Sequence, residues 1–77
     1  MKQQNPIKAV ADFEECIRLN PEWGTAYLTR GDCYLQKQDF KRALRDYEKA
    51  KELYKKEGNK KMANVARKAC RKVLSGQ

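Results

Sequence analysis

The chain has 77 residues, of which 36% are charged, and its formal net charge is +8. This length allows one domain at most, and a domain of this size buries only about 60% of the surface that its unfolded chain exposes. No apolar run approaches the ~20 residues of a membrane-spanning helix, and the opening stretch MKQQNPIKAV lacks the apolar core of a signal peptide. We therefore expect an intracellular protein, located in the cytoplasm or in the interior of an organelle.

Helix start and stop signals predict two helices in the first half of the chain. Asn5-Pro6 is typical of a helix start, with Asn as the N-cap and Pro at the first helical position. This first helix is expected to run to about Leu19 and to be closed by Asn20-Pro21. The second helix is predicted to run from about residue 24 to about residue 37.

Two further helices are predicted in the second half. Asp39 can cap the third, which covers about residues 40–56, and Gly58 is a typical stop signal after it. Asn59 can cap the fourth, which covers about residues 60–74. Since no useful stretch alternates apolar and polar residues with period two, we predict an all-α protein with four helices and no strands.

The sequence repeats itself with a period of 34 residues. The segment AVADFEECIRLNP, from residue 9, aligns with ALRDYEKAKELYK, from residue 43. Apolar positions agree in size across the two segments, as where Phe13 falls on Tyr47. A repeat of this length is typical of stacked helix–turn–helix units.

Small residues stand where helices usually place large ones. A glycine inside a helix costs about 0.5–1 kcal/mol relative to alanine, so Gly31 needs a structural reason. The missing side chain lets a neighbouring helix approach closely. We predict that Gly31 on the second helix, with Ala43 and Ala50 on the third, forms a close antiparallel contact. The space around it would be filled by Tyr27, Tyr34, Phe40 and Tyr47.

This pattern resembles the tetratricopeptide repeat, a 34-residue helix–turn–helix unit. The resemblance rests on Tyr27, Gly31, Tyr34, Ala43, Tyr47, Ala50 and Leu53, with Pro21 closing a preceding unit. It implies a single domain over residues 1–77, built as an antiparallel helix–turn–helix array, a fragment of an α-solenoid. Residues 24–57 would form a complete repeat, residues 5–20 the second helix of a partial repeat, and residues 59–75 a basic capping helix. The family's leucine, small turn residue and closing proline are replaced by Arg30, Gln38 and Lys55.

The resemblance implies that the chain binds a partner protein or peptide as a scaffold or adaptor. In the family, the first helix of each unit lines a groove that receives an extended peptide or a helix. The matching face here consists of Thr25, Leu28, Thr29, Asp32, Leu35 and Gln36. The unit also looks like repeats of co-chaperones that clamp the acidic tails of large heat-shock chaperones with a lysine and an arginine. Thr25 and Thr29 stand at the corresponding positions, so the clamp is missing from this unit.

The positive charge is concentrated in the C-terminal half, where residues 41–77 carry thirteen Lys and Arg against four Asp and Glu. The predicted fourth helix has an apolar stripe of Met62, Val65, Ala66, Ala69 and Val73. Its opposite side, the basic face, carries Lys60, Lys61, Arg67, Lys68, Arg71 and Lys72. This face is compatible with a solvated cap, or with binding of acidic protein, anionic lipid or RNA.

A nucleic-acid-binding module that uses this basic helix is the alternative function. Residues 55–77 contain no aromatic side chain, so stacking on bases is not supported. A steep salt dependence of RNA binding would favour this alternative over protein binding.

Little in the sequence points to catalysis. The chain has no histidine, no serine in a nucleophile elbow and no glycine-rich phosphate loop. Cys16, Cys33 and Cys70 form no CxxC pair and fall on or beside apolar helix faces, which favours small buried residues in a reducing compartment over a zinc site or a reactive thiol. We expect no enzyme activity, no cofactor and no metal.

The first helix predicts an N-terminal packing face, because Ile7, Val10, Phe13 and Ile17 recur at helical spacing. The second helix can cover only part of this face, and arrays of this kind generally need about three units or terminal caps. We expect the face to pack on upstream residues of a longer parent protein, on another subunit of an assembly, or on a second copy of this chain.

Overall fold

The computed structural model of the protein describes residues 6–76. Four α-helices follow one another: α1 (Pro6–Leu19), α2 (Gly24–Gln36), α3 (Phe40–Lys56) and α4 (Lys60–Gly76). Each helix packs on the next in the chain, and no strand occurs within the described residues. The predicted all-α helix–turn–helix array is confirmed.

The predicted helix boundaries agree with the structure to within two residues. The side chain of Asp39 accepts a hydrogen bond from the backbone N–H of Arg42 at 3.3 Å, and that of Asn59 accepts one from the N–H of Met62 at 3.1 Å. Both predicted N-caps are therefore confirmed. Gly58 follows α3 with φ of 79°, the left-handed conformation that glycine adopts without steric cost. The predicted cap at Asn5 lies outside the described residues.

The turn between α2 and α3 contains a strained position. Gln38 has φ of 63°, in the left-handed region that side chains with a Cβ atom rarely adopt. The tetratricopeptide pattern has a small residue at this point, and the backbone here keeps the conformation that a small residue would favour. Gln38 therefore carries a steric cost of roughly 1–2 kcal/mol.

The main core cluster draws on all four helices. Tyr47, at 1% exposure, is the largest fully buried side chain among the described residues, and it packs with Val10 of α1, Tyr34 of α2 and Val73 of α4. A second cluster joins α3 to α4 through Ala50, Tyr54, Ala63 and Ala66. Four helices of such modest length can share a core because several contact positions are alanines, which let the helices approach closely.

Gly31 makes the close contact that the sequence predicts with Ala43. A Cβ atom placed on Gly31 would lie 3.3 Å from the carbonyl oxygen of Ala43 and 2.8 Å from Cε1 of Tyr47. The tyrosine ring of α3 thus fills the space that the missing side chain leaves. Ala50, predicted in the same contact, is buried in the second cluster, against which Tyr27 and Leu28 of α2 also pack.

The apolar stripe predicted for α4 is wrong at one position. The buried residues of α4 are Ala63, Ala66, Cys70 and Val73, whereas Val65 is 43% exposed. The buried arc is therefore rotated away from Val65, because α3 covers the edge of the helix that carries Ala63 and Cys70.

Candidate partner-binding surfaces

The α2 face, defined as the six predicted groove residues Thr25, Leu28, Thr29, Asp32, Leu35 and Gln36, is partly held by tyrosines of α3. The hydroxyl groups of Thr25 and Tyr54 lie 2.7 Å apart and share a hydrogen bond. The hydroxyl of Tyr47 donates a hydrogen bond to the carboxylate of Asp32. These two contacts fix the orientation of the polar groups that border the face.

The remaining residues of the α2 face divide between core and solvent. Leu28 and Leu35 are half-buried and pack against the core clusters, and Thr29 is also half-buried. Gln36 is exposed, together with Thr25 and Asp32. What α2 offers to a partner on this face is therefore a narrow polar strip without a cation, which is unlike a carboxylate clamp.

Burial and a hydrogen bond both act on the tyrosine behind this strip. Burial is the main cause that raises the pKa of Tyr47, and the hydrogen bond that it donates to the carboxylate of Asp32 adds to the effect. Tyr47 therefore stays a neutral hydrogen-bond donor at neutral pH, and it serves as a support for the α2 face.

The basic face of α4 is exposed along its whole length. Residues 58–76 contain no acidic side chain, and none of the six cations predicted for this face forms an ion pair with another described residue. Arg67 donates a hydrogen bond to the side-chain oxygen of Asn64 at 3.3 Å. The charges are thus left uncompensated and available to an anionic partner.

The six cations form two rows on the exposed side of α4, about 100° apart around the helix axis. At about 100° per residue, Lys60, Arg67 and Arg71 lie beside the edge that α3 covers. The other row consists of Lys61, Lys68 and Lys72 and lies beside exposed Val65. The two rows therefore face different surroundings although they belong to one helix.

The first row borders an open cleft between α3 and α4, with a volume of about 300 Å³. We call it the α3–α4 cleft; it is lined by Lys51, Lys55, Lys60, Ala63, Asn64 and Arg67. Sequence reasoning missed Lys51 and Lys55, because on α3 they alternate with glutamates and look like ordinary surface charge. Only the packing of α3 against α4 brings them beside the cations of α4.

The N-terminal packing face is covered in part by α2. Val10 is buried in the main core cluster, and Phe13 and Ile17 are half-buried. Ile7 is 66% exposed. Two further exposed apolar residues lie outside this face: Leu19, the last residue of α1, is 70% exposed, and Trp23, just before α2, is 43% exposed. Whether another molecule or segment covers this face stays a prediction.

The cysteines lie in positions that do not favour reactivity. Cys33 and Cys70 are buried and Cys16 is half-buried, and all three are free thiols. Burial is the main cause that raises the pKa of both Cys33 and Cys70. A raised pKa keeps a thiol protonated at neutral pH and so lowers its nucleophilicity. Within residues 6–76, no group of side chains has the composition and closeness to hold a metal ion.

Family models of the tetratricopeptide repeat match the chain at residues 24–57 and at residues 1–22. The first match covers the segment α2–α3, which the structure folds as one antiparallel helix pair. The chain therefore belongs to the tetratricopeptide repeat family. Membership of this family makes it a protein-interaction module in the general sense.

Two curated proteins with similar sequences come from distant organisms. The chain is 34% identical over 65 residues to the DnaJ homolog subfamily C member 7 homolog of Dictyostelium discoideum, and the aligned region covers 79% of this chain and 12% of that protein. It is 33% identical over 58 residues to DnaJ homolog subfamily C member 7 of Mus musculus, and this aligned region covers 75% of this chain and 12% of that protein. The chain thus spans a small fraction of the length of these relatives. No solved structure matches it significantly.

None of the described helices combines the length and the apolar character that a bilayer crossing requires.

Proposed function

We propose that this protein is a non-catalytic scaffold or adaptor module that binds an acidic segment of a partner protein in the α3–α4 cleft. The observation that carries the proposal is the set of four cations, Lys51, Lys55, Lys60 and Arg67, that line one cleft without an acidic residue in its lining. Like charges gathered at one surface repel each other, and an anionic segment bound between them removes that repulsion.

The shape of the cleft supports a peptide segment as the ligand. Ala63 supplies a small apolar floor between the two walls of cations, and Asn64 offers an amide that can pair with a peptide backbone. Lysine side chains are flexible point charges, so they suit several carboxylates spread along a segment better than one fixed group. The row with Arg71 would extend the same surface toward the end of α4.

The α2 face is the second candidate contact for the same partner. Its exposed residues are Thr25, Asp32 and Gln36, and two of them are oriented by tyrosines of α3. A polar strip of this kind suits hydrogen bonding to an extended backbone or to the side of a helix. It lacks the cations for a terminal carboxylate, so we assign the acidic segment to the α3–α4 cleft.

The proposal includes action within a larger protein or complex. Support comes from the relatives, in which the matched region is 12% of the length, and from the exposed apolar side chains of Leu19 at the end of α1 and Trp23 just before α2. Exposed apolar side chains of this kind favour packing against a further repeat or subunit.

Two charge-matched variants test the location of the site. Lys60→Gln with Arg67→Gln removes two cations of the cleft, and Lys61→Gln with Lys68→Gln removes two cations of the other row. Both pairs are seven residues apart on α4 and change the net charge equally. We expect a glutamate-rich peptide to bind the parent protein and the second variant. It should bind the first variant up to about tenfold more weakly, because two exposed ion pairs contribute at most about 1 kcal/mol each.

The salt dependence of binding and the affinity for RNA distinguish an acidic-peptide-binding module from a nucleic-acid-binding module. Peptide binding to the cleft should weaken as salt rises, and the first variant should show a flatter salt dependence. Equal peptide binding by both variants would contradict the assignment to the cleft. Tighter binding of single-stranded RNA than of the peptide, with a steep dependence on salt, would favour a nucleic-acid-binding module instead.

A further inference from the structure

A second basic cluster lies between α2 and α3, away from the α3–α4 cleft. A pocket of about 170 Å³ is lined by Arg30, Tyr34, Arg42, Arg45 and Asp46. We call it the arginine pocket. It shares no lining residue with the α3–α4 cleft or with the α2 face, so its argument does not rest on the proposed partner.

One arginine of the pocket is fixed in place. Nε and Nη2 of Arg30 donate to the two carboxylate oxygens of Asp46, each at 2.8 Å, and Asp46 is 5% exposed. This bidentate pair is the main reason why the pKa of Arg30 is raised. The guanidinium carbon of Arg30 also lies 5.7 Å from the centre of the Tyr34 ring. Arg30 is therefore preorganised, with its position set by groups already in the fold.

The other two arginines approach from α3. Arg42 has its guanidinium carbon 6.0 Å from the centre of the Tyr34 ring, and it forms an exposed ion pair with Asp39 at 3.1 Å. Arg45 has no ion pair with any residue of the described part of the chain. Its charge at the pocket is thus uncompensated.

The charge and size of the arginine pocket select among anions. Three arginines against one carboxylate give its lining a charge of +2, and Asp39, which pairs with Arg42 outside the lining, lowers the local charge to +1. A phosphate monoester carries about −1.5 to −2 and presents three acceptor oxygens at neutral pH, whereas a carboxylate carries one charge. The pocket volume of about 170 Å³ is several times the roughly 30 Å³ that one water takes in the liquid, so the pocket has room for the few heavy atoms of a phosphate group. Arginine forks match phosphate geometry better than lysines do.

We propose that the arginine pocket binds a phosphate group, with Arg42 and Arg45 as the mobile ligands and Arg30 as the fixed one. Tyr34 forms its floor, and Asp46 holds Arg30 in place. The pocket is open at the surface, since Arg42 and Arg45 are exposed, so a phosphate on a side chain of another protein can reach it as well as free phosphate.

The test is a titration followed by NMR at constant ionic strength. The probes are inorganic phosphate and two short peptides of neutral sequence that differ only in phosphoserine against serine. The pocket variant is Arg42→Gln with Arg45→Gln, which leaves the Arg30–Asp46 pair intact. The control is Lys61→Gln with Lys68→Gln, which removes two exposed cations of α4 that line neither the arginine pocket nor the α3–α4 cleft and changes the net charge equally. Arg42→Lys with Arg45→Lys keeps the charge and removes the fork.

The phosphoserine peptide should shift the NMR signals of Tyr34 and Arg30, and the serine peptide should not. Because a hydrogen bond to a charged group contributes about one order of magnitude in affinity, binding should weaken about tenfold or more for each glutamine in the pocket variant. The control should bind like the parent, and the lysine variant should lie between. Tighter binding of the phosphopeptide than of phosphate identifies a phosphorylated protein as the source, and equal binding identifies free phosphate. Absence of shifts with inorganic phosphate and with the phosphoserine peptide would overturn the proposal. An equal loss of binding in the control variant would overturn it as well.

Discussion

Gly31→Ala is expected to destabilise the protein, although the same change in an open helix is stabilising. A Cβ atom on Gly31 would lie 2.8 Å from Cε1 and 2.9 Å from Cδ1 of Tyr47. Carbon atoms attract each other best at about 3.5–4.0 Å, so the ring would have to move by roughly 0.7 Å. Tyr47 is fully buried and its hydroxyl is bonded to Asp32, so it has little room to move.

Two opposing contributions set the magnitude. Helix propensity favours alanine over glycine by about 0.8–1.0 kcal/mol. Overpacking of a well-packed core typically costs about 1–3 kcal/mol. The net destabilisation should be about 1 kcal/mol, which lowers the melting temperature of a domain of this size by about 4–8 °C. Gly31→Leu, which forces a whole side chain into the same contact, should cost several kcal/mol.

Thermal melts followed by circular dichroism can separate the clash from other effects. In a Tyr47→Leu background the ring is gone, so Gly31→Ala should become neutral or stabilising there. Tyr47→Phe is the matched control, because it keeps the ring and therefore the clash. A melting temperature of Gly31→Ala equal to or above that of the parent would refute the packing of α2 on α3 argued above.

Four further outcomes follow from the structure. Because the pKa of Tyr47 is raised in the folded protein, its contribution to stability is fully present below its unfolded-state pKa of about 10 and is lost as the pH rises toward the folded value. Denaturant melts should therefore show that the free energy of unfolding falls less steeply with rising alkaline pH for Tyr47→Phe than for the parent. Thiol labelling of the native protein should modify half-buried Cys16 before buried Cys33 and Cys70, and equal rates would contradict their burial. Gln38→Gly should raise the free energy of unfolding by about 1 kcal/mol, because it relieves a positive φ; a loss of stability would refute that strain. Amide hydrogen exchange should be faster in α1 than in α3, because α1 packs chiefly on α2. Exchange in α1 as slow as in α3 would show that the exposed face of α1 does not lower its local stability.

The sequence by itself determined the helices and their ends. Asp39 and Asn59 cap their helices, and Gly58 stops one, through contacts within a few residues, so local chemistry suffices to predict them. The 34-residue period predicted the pairing of α2 with α3, and the glycine at position 31 marked one point of close contact between them. The exposure of the six basic residues of α4 could also be predicted, because charged side chains rarely pack into a core.

Only the tertiary structure decided how the helices are rotated against each other. The rotation of α4 exposes Val65, buries Cys70 and brings one row of cations to Lys51 and Lys55 of α3. The pairing of Arg30 with Asp46 likewise joins residues that are 16 positions apart. An amphipathic pattern limits the buried side of a helix to a broad arc, and the side chains of the neighbouring helix choose the line of contact within it. For that reason the candidate α3–α4 cleft and the arginine pocket appear only when the helices are packed together.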